Sequence, residues 1–379
     1  MKISYVTTYD ASDIRAWSGS AYYISESLKR SGFSIEYIGN LKEPLRNFFR
    51  IKKVLYGTFL SKNYLRDREP RILKSYAKQV KSALSRVNSD IVFSPGTIPI
   101  AYLTTDLPIV FWTDATFAGM IDFYPSFSNL CKESVRSGNT MEQEALSKCR
   151  LAIYNSEWAA KTAIDNYDVD HRKVKVVPFG SNIDNELKLS DIETITKNKD
   201  FTRCKLLFIG VDWFRKGGDI ALRVATLLNE QGLATELHIV GCTPQGRLPD
   251  FVFTHGFVSK RTEEGKKLLQ TLFTGSHFLI LPSRAECCAV VLAEASSYGL
   301  PSLTSDVGGI TTAIRNGRNG WAFPLTGIEE KFCDYVTKAL SSPTEYARLS
   351  ASSYTEYTER LNWFAAGNRI RELIHEFCG

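Results

Sequence analysis

The chain has 379 residues, 44% of them hydrophobic and 23% charged, with a net charge of +6. That length exceeds what one core normally fills, so two domains are expected, and the composition excludes a disordered or fibrous protein. No run reaches the roughly 18 apolar residues of a membrane span, and eight cysteines without a CxxC pair and five histidines without ligand spacing argue against a disulfide framework and a bound metal.

Met1-Lys2-Ile3-Ser4-Tyr5-Val6 turns polar at Thr7-Thr8 before a secretory apolar region could form. It reads as a first strand, and a cytoplasmic location is expected. A dinucleotide-binding protein would carry GxGxxG in the turn that follows. Here the turn is a long loop, Thr7 to Ser20, with Gly19 just before a helix. Gly19 permits close approach of a ligand to the backbone, or serves simply as a turn glycine. Nicotinamide chemistry is not expected.

Residues 42–86 hold 13 Lys or Arg against 3 Asp or Glu. Within them, Arg46-Asn47-Phe48-Phe49-Arg50-Ile51-Lys52-Lys53-Val54-Leu55-Tyr56 interleaves cations with apolar residues at helical spacing. Two readings stand: an interfacial helix making peripheral contact with anionic membrane, or a packed helix with a basic outer face. No recognised nucleic-acid-binding motif accompanies the charge, and no nucleic acid partner is expected.

Short apolar strands alternate with helical patterns along the whole chain, which predicts parallel sheets covered by helices on both faces. Strands are expected near 2–6, 34–38, 90–94, 108–113, 151–155 and 173–177. A second set falls near 204–210, 235–240, 252–254, 277–281, 301–305 and 319–323. Phe111-Trp112-Thr113-Asp114 ends its strand with an acid, which can hold an acceptor hydroxyl, take its proton, or cap the next helix. The polar, strand-poor stretch 183–202 reads as a linker between domains 1–182 and 203–360, which face one another across a cleft.

In the second half, Gly210 to Asp219 follows an apolar strand and carries Arg215-Lys216 at its carboxyl end. A basic pair beside a helix start suits a diphosphate, although it is also an ordinary surface-charged helix entry. Glu286 and Glu294 lie eight positions apart around the start of a helix expected over about Ala289 to Tyr298. The amides near Cys288, Ala289 and Val290 are first-turn donors able to hold phosphate, and the two carboxylates can accept bonds from hydroxyls. Equally, Glu286 would help cap the helix and Glu294 be merely solvated.

Taken together, these segments resemble family 4 glycosyltransferases. Glu286 to Glu294 is similar to their E-x7-E element, and Gly299 to Gly309, the Arg215-Lys216 loop, Val176 to Gly180, Asn319-Gly320-Trp321 and the Trp363-containing final helix are similar to the corresponding segments. The resemblance implies a GT-B fold of the α/β class, two Rossmann-like domains with the helix over 361–379 crossing back onto the first. It also implies a retaining, metal-independent transferase that moves a sugar from a nucleotide-diphospho-sugar of UDP or GDP type to a glycan, lipid-linked or small-molecule acceptor.

By the same resemblance, Glu286 binds the donor sugar beside the reacting carbon, Glu294 holds the ribose, and Arg215 and Lys216 hold the diphosphate. Gly19 lets the first loop approach the phosphate, Val258 lies in the loop nearest the base, and Asp114 is on the acceptor side. Two departures matter: Val211 stands where many relatives have a basic residue, and Cys287-Cys288-Ala289 replaces Pro-Phe-Gly. Donor specificity is therefore not carried over. A GT-B epimerase or phosphorylase and a non-catalytic nucleotide-sugar-binding partner are the competing expectations.

Overall fold

The computed structural model describes residues 1–14, 16–183 and 185–379, so Arg15 of the first loop and Asp184 of the expected linker lie outside the described residues. The chain forms two compact units, one of Met1–Pro178 with Trp363–Gly379, the other of Phe179–Asn362.

In the first unit the elements run β1 (Lys2–Val6), α1 (Ser20–Arg30), β2 (Ser34–Ile38), α2 (Arg46–Leu60), α3 (Pro70–Leu84), β3 (Ile91–Ser94), β4 (Ile109–Thr113), α4 (Phe117–Met120), α5 (Lys132–Lys148), β5 (Leu151–Tyr154), α6 (Glu157–Asn166) and β6 (Val174–Val176). The sheet order is β2-β1-β3-β4-β5-β6, every pair parallel. Strands β3, β4 and β5 are buried at every residue, which is why they read as unbroken apolar runs rather than as alternating ones. The order reverses between β1 and β3, a switch point where loops splay apart to leave a crevice.

The segment Trp363–Cys378 forms a helix that completes this unit from the far end of the sequence. It buries Trp363, Ala366, Gly367, Ile370, Leu373 and Ile374. Trp363 stacks on Tyr23 at 5.9 Å and meets Trp112 edge-on at 5.8 Å, while Trp112 donates through Nε1 to the carbonyl of Val177.

The second unit begins with α7 (Leu189–Lys197) and continues β7 (Cys204–Ile209), α8 (Gly218–Glu230), β8 (Thr235–Val240), β9 (Val252–Thr254), α9 (Glu263–Gly275), β10 (Phe278–Leu281), α10 (Val290–Ser297), β11 (Ser302–Ser305), α11 (Ile310–Ala313), β12 (Gly320–Phe323), α12 (Ile328–Leu340) and α13 (Pro343–Arg360); the final helix Trp363–Cys378 is α14. The order β12-β11-β10-β7-β8-β9 is all parallel and has the doubly wound pattern of a mononucleotide-binding pair, reversing between β7 and β10.

The stretch read above as a linker, 183–202, folds within this second unit. Its described residues hold no strand, but α7 buries Ile192 and Thr196, and the Thr196 hydroxyl meets that of Ser350 on α13 at 2.9 Å. The Tyr354 hydroxyl also donates to the carbonyl of Leu187. The helix is short and mostly exposed, so its periodicity is faint in a polar sequence. Among the described residues, no helix is long and apolar enough to cross a membrane.

Candidate functional site

The loops after β7 and β10 emerge side by side at the switch point of the second unit, and the backbone explains why they touch. Gly217 has φ +77° and precedes α8; a Cβ there would collide with the carbonyl oxygen of Pro282, and one on Gly218 with the Trp213 ring. The bare backbone lets the β7 loop lie directly on the β10 loop. Arg284 N–H then donates to the Arg215 carbonyl at 2.8 Å, and Arg215 Nη1 donates to the Ala285 carbonyl at 2.9 Å.

This contact assembles a buried charge cluster. Glu286 is 4% exposed. Its Oε2 pairs with Lys216 Nζ and lies 3.5 Å from Arg215 Nη1. Asp212 steadies the arginine from behind, accepting from its backbone N–H at 3.0 Å and facing its Nε at 3.4 Å. The Glu286 carbonyl accepts from Gly309 N–H at 2.9 Å, tying the loop after β11 to the same point. Two cations thus converge on one carboxylate where water is scarce, an arrangement in which charge interactions are strong and removal of one partner is costly.

Glu294 sits in the second turn of α10 and is fully buried. Lys260, in the loop after β9, pairs with Oε1, whereas Oε2 has no hydrogen-bond partner among the described residues. A buried carboxylate oxygen left without a donor costs about 1–3 kcal/mol or more. Burial, with the nearby Glu294 charge, pushes the Tyr298 phenol up to about 12. The helix runs Val290–Ser297, slightly shorter than expected, with Ala289 at the N-cap making no side-chain capping bond. Cys288 and Val290 are half-buried there, and Cys287 and Ala289 buried. Val258 packs half-buried against the core of the unit, next to a Phe257 that is 80% exposed.

The other two predicted positions belong to the first unit. Gly19 precedes α1 with φ +86°, and an added Cβ would press on the Ile14 carbonyl oxygen at 3.2 Å and the Tyr23 ring at 3.3 Å. Asp114 follows β4 and is half-buried. It does not cap α4, because Thr116 Oγ1 does so by accepting from Gly119 N–H at 3.0 Å. Tyr9, from the loop after β1, lies close enough that burial and the Asp114 charge hold its phenol at about 12.

The structure therefore joins Arg215, Lys216 and Glu286 directly. It puts Glu294, Val258 and the start of α10 at the same carboxyl edge of the sheet, and leaves Gly19 and Asp114 on the other unit. Sequence reasoning missed Lys260, Asp212 and Tyr9. Lys260 stands two residues after Val258 in the basic run Lys260-Arg261, a signal that was present but ordinary. Also missed was Glu142 on α5, a buried acid that accepts from Thr97 Oγ1 at 2.8 Å and is pushed up to about 7 by burial.

Residues 203–342 match the family described as glycosyl transferases group 1. Over 257 residues the chain is 24% identical to the D-inositol 3-phosphate glycosyltransferase of Thermomonospora curvata, a match covering 61% of this chain and 58% of that protein. The chain spans about half the length of most of the curated relatives it matches. In structure it is similar to sucrose-phosphate synthase from Thermosynechococcus elongatus, with a TM-score of 0.67 and 15% identity over 99% of this chain and 98% of that one. It is similar also to Anabaena HepE in complex with UDP and glucose, with a TM-score of 0.65 and 14% identity over 99% and 100%. The fold is GT-B, each unit a parallel six-stranded sheet with helices, and the segment 203–342 carries the glycosyltransferase resemblance.

Proposed function

We propose that this protein is a retaining glycosyltransferase, moving a sugar from a nucleotide-diphospho-sugar to an acceptor hydroxyl in polysaccharide, glycolipid or glycoconjugate assembly. The observation that carries the proposal is the buried Glu286, joined by Lys216 and Arg215 at the switch point of the second unit. Cleaving the bond between sugar and diphosphate builds negative charge on the phosphate and positive charge on the sugar ring. In this reading Lys216, Arg215 and the first-turn amides of α10 stabilise the former. A diphosphate arriving at the two cations would share them with Glu286 and turn the carboxylate toward the sugar hydroxyls. Side chains would supply the positive charge that a metal ion supplies elsewhere. Glu294 Oε2 would take the ribose hydroxyls, with Lys260 fixing the other oxygen. Asp114, beside Tyr9, would position the acceptor hydroxyl while the leaving phosphate takes its proton.

The HepE complex holds UDP and glucose, which supports UDP as the first nucleotide to test. Titration calorimetry with UDP and GDP, followed by transfer and hydrolysis assays with their sugar conjugates, checks the reading. Glu286→Ala is expected to lower turnover by about 100-fold or more, the size of effect seen when a transition-state contact is lost, with nucleotide affinity nearly unchanged. Undiminished turnover in that variant would remove Glu286 from the chemistry. Sugar release that ignores any acceptor would favour an epimerase or phosphorylase, and failure to bind either nucleotide would defeat the donor site.

A further inference from the structure

Helix α2 is built the wrong way out for a packed helix. Its only buried residue is Phe49. The neighbouring inward positions are polar: Lys52 pairs with Glu69 and Glu133, and the Tyr56 hydroxyl donates to Glu133 at 2.9 Å. Phe48, Ile51, Leu55 and Phe59, spaced i, i+3, i+7 and i+11 on one flank, are 57%, 61%, 48% and 76% exposed. An amphipathic helix in a globular protein turns such a stripe toward the core. A contiguous exposed apolar stripe marks an interaction surface.

Charge identifies what the surface meets. Exposed Arg46, Arg50 and Lys53 run along the opposite flank of α2, which contains no acid. Helix α3 shares a core with α2 through Phe49, Ile72, Leu73 and Tyr76. It exposes Arg71, Lys74, Lys78 and Lys81 at helical spacing, again with no acid in the helix. A second copy of this face would bring like charges together, and a nucleic acid would leave the aliphatic stripe in water. A bilayer with anionic headgroups satisfies both features: the stripe enters the headgroup and acyl boundary, and the cations meet the phosphates. We propose that the α2 and α3 face docks this protein peripherally on an anionic membrane. The proposal is independent of the transferase reading, since the donor-site residues lie on the other unit.

Sedimentation of the full chain with vesicles of phosphatidylcholine alone, or mixed with phosphatidylglycerol, tests it. Pelleting is expected with the mixed vesicles, weakening as salt screens the cations. Phe48→Ser, Ile51→Ser and Phe59→Ser combined should weaken binding by about tenfold or more, because the inserted apolar area is lost. All three side chains are exposed, so thermal stability and circular dichroism should stay as in the parent. Arg50→Gln with Lys53→Gln should lower affinity for the mixed vesicles alone. Absence of pelleting, or equal pelleting of the apolar variant, would overturn the proposal. A dimer in sedimentation velocity that the same serine substitutions dissolve would assign the surface to a second copy instead.

Discussion

At the scale of single residues, the informative groups are those whose surroundings contradict their chemistry. Glu286, Arg215 and Lys216 stood out in the sequence because they follow buried strands at the carboxyl ends where open parallel sheets bind ligands, although helix capping and a surface-charged helix entry accounted for them as well. Their mutual contact was not legible, since it depends on two loops about 70 positions apart in sequence meeting at one point. His277 shows the same limit. It is 2% exposed, and its Nδ1 accepts from Lys205 N–H at 3.0 Å, so the ring is held neutral. Burial first, then the charge of Lys199, pushes its pKa down to about 4. The unfolded chain therefore binds more protons between about pH 4 and 6.5, and stability rises with pH across that window. Acidification to pH 4 should remove on the order of 3 kcal/mol through this residue. Glu142, raised to about 7, acts oppositely: its contribution is present below the ordinary carboxylate range and lost as pH rises toward 7. The difference between parent and His277→Asn isolates the histidine. Urea denaturation at pH 7 and 4.5 should show a smaller acid loss in the variant, and identical losses would contradict the assignment.

At the scale of elements, all twelve expected strands fall within about two residues of their expected positions; β3, β4, β5 and β10 were the plainest, because strands buried on both faces must be continuous apolar runs. Helices were less legible where tertiary contacts overrule periodicity, as in α7, hidden in a polar stretch, and α2, whose apolar stripe faces outward. The junction of the β7 and β10 loops rests on Gly217. Gly217→Ala combines a left-handed backbone with a collision against Pro282 and should destabilise by more than about 2 kcal/mol. Gly232→Ala is the matched control: φ is +90°, but beyond its chain neighbours nothing lies within 4 Å of the added carbon, so only the backbone cost of about 1–2 kcal/mol applies. Equal losses in the two variants, read from denaturation midpoints, would show that the loop contact is soft.

At the scale of the whole molecule, the first unit depends on a helix that the chain delivers last. Of the six buried residues of α14, the large apolar side chains Trp363, Ile370, Leu373 and Ile374 are each worth roughly 1.5–3 kcal/mol, against a net domain stability of about 5–15 kcal/mol. Truncation after Asn362 should therefore leave 1–178 sensitive to limited proteolysis while 179–362 stays resistant. A truncated protein with the proteolytic pattern of the full chain would show that α14 is dispensable.

By itself the sequence determined the alternation of strand and helix, the presence of two such sets, and which charged residues stand at strand ends, because burial and period are local properties of a chain. Tertiary structure alone decided the strand orders, the pairing of Lys216 with Glu286 and Lys260 with Glu294, and the outward direction of the α2 stripe. Each depends on which distant surfaces meet, and contact between segments far apart in sequence leaves no periodic trace in either of them.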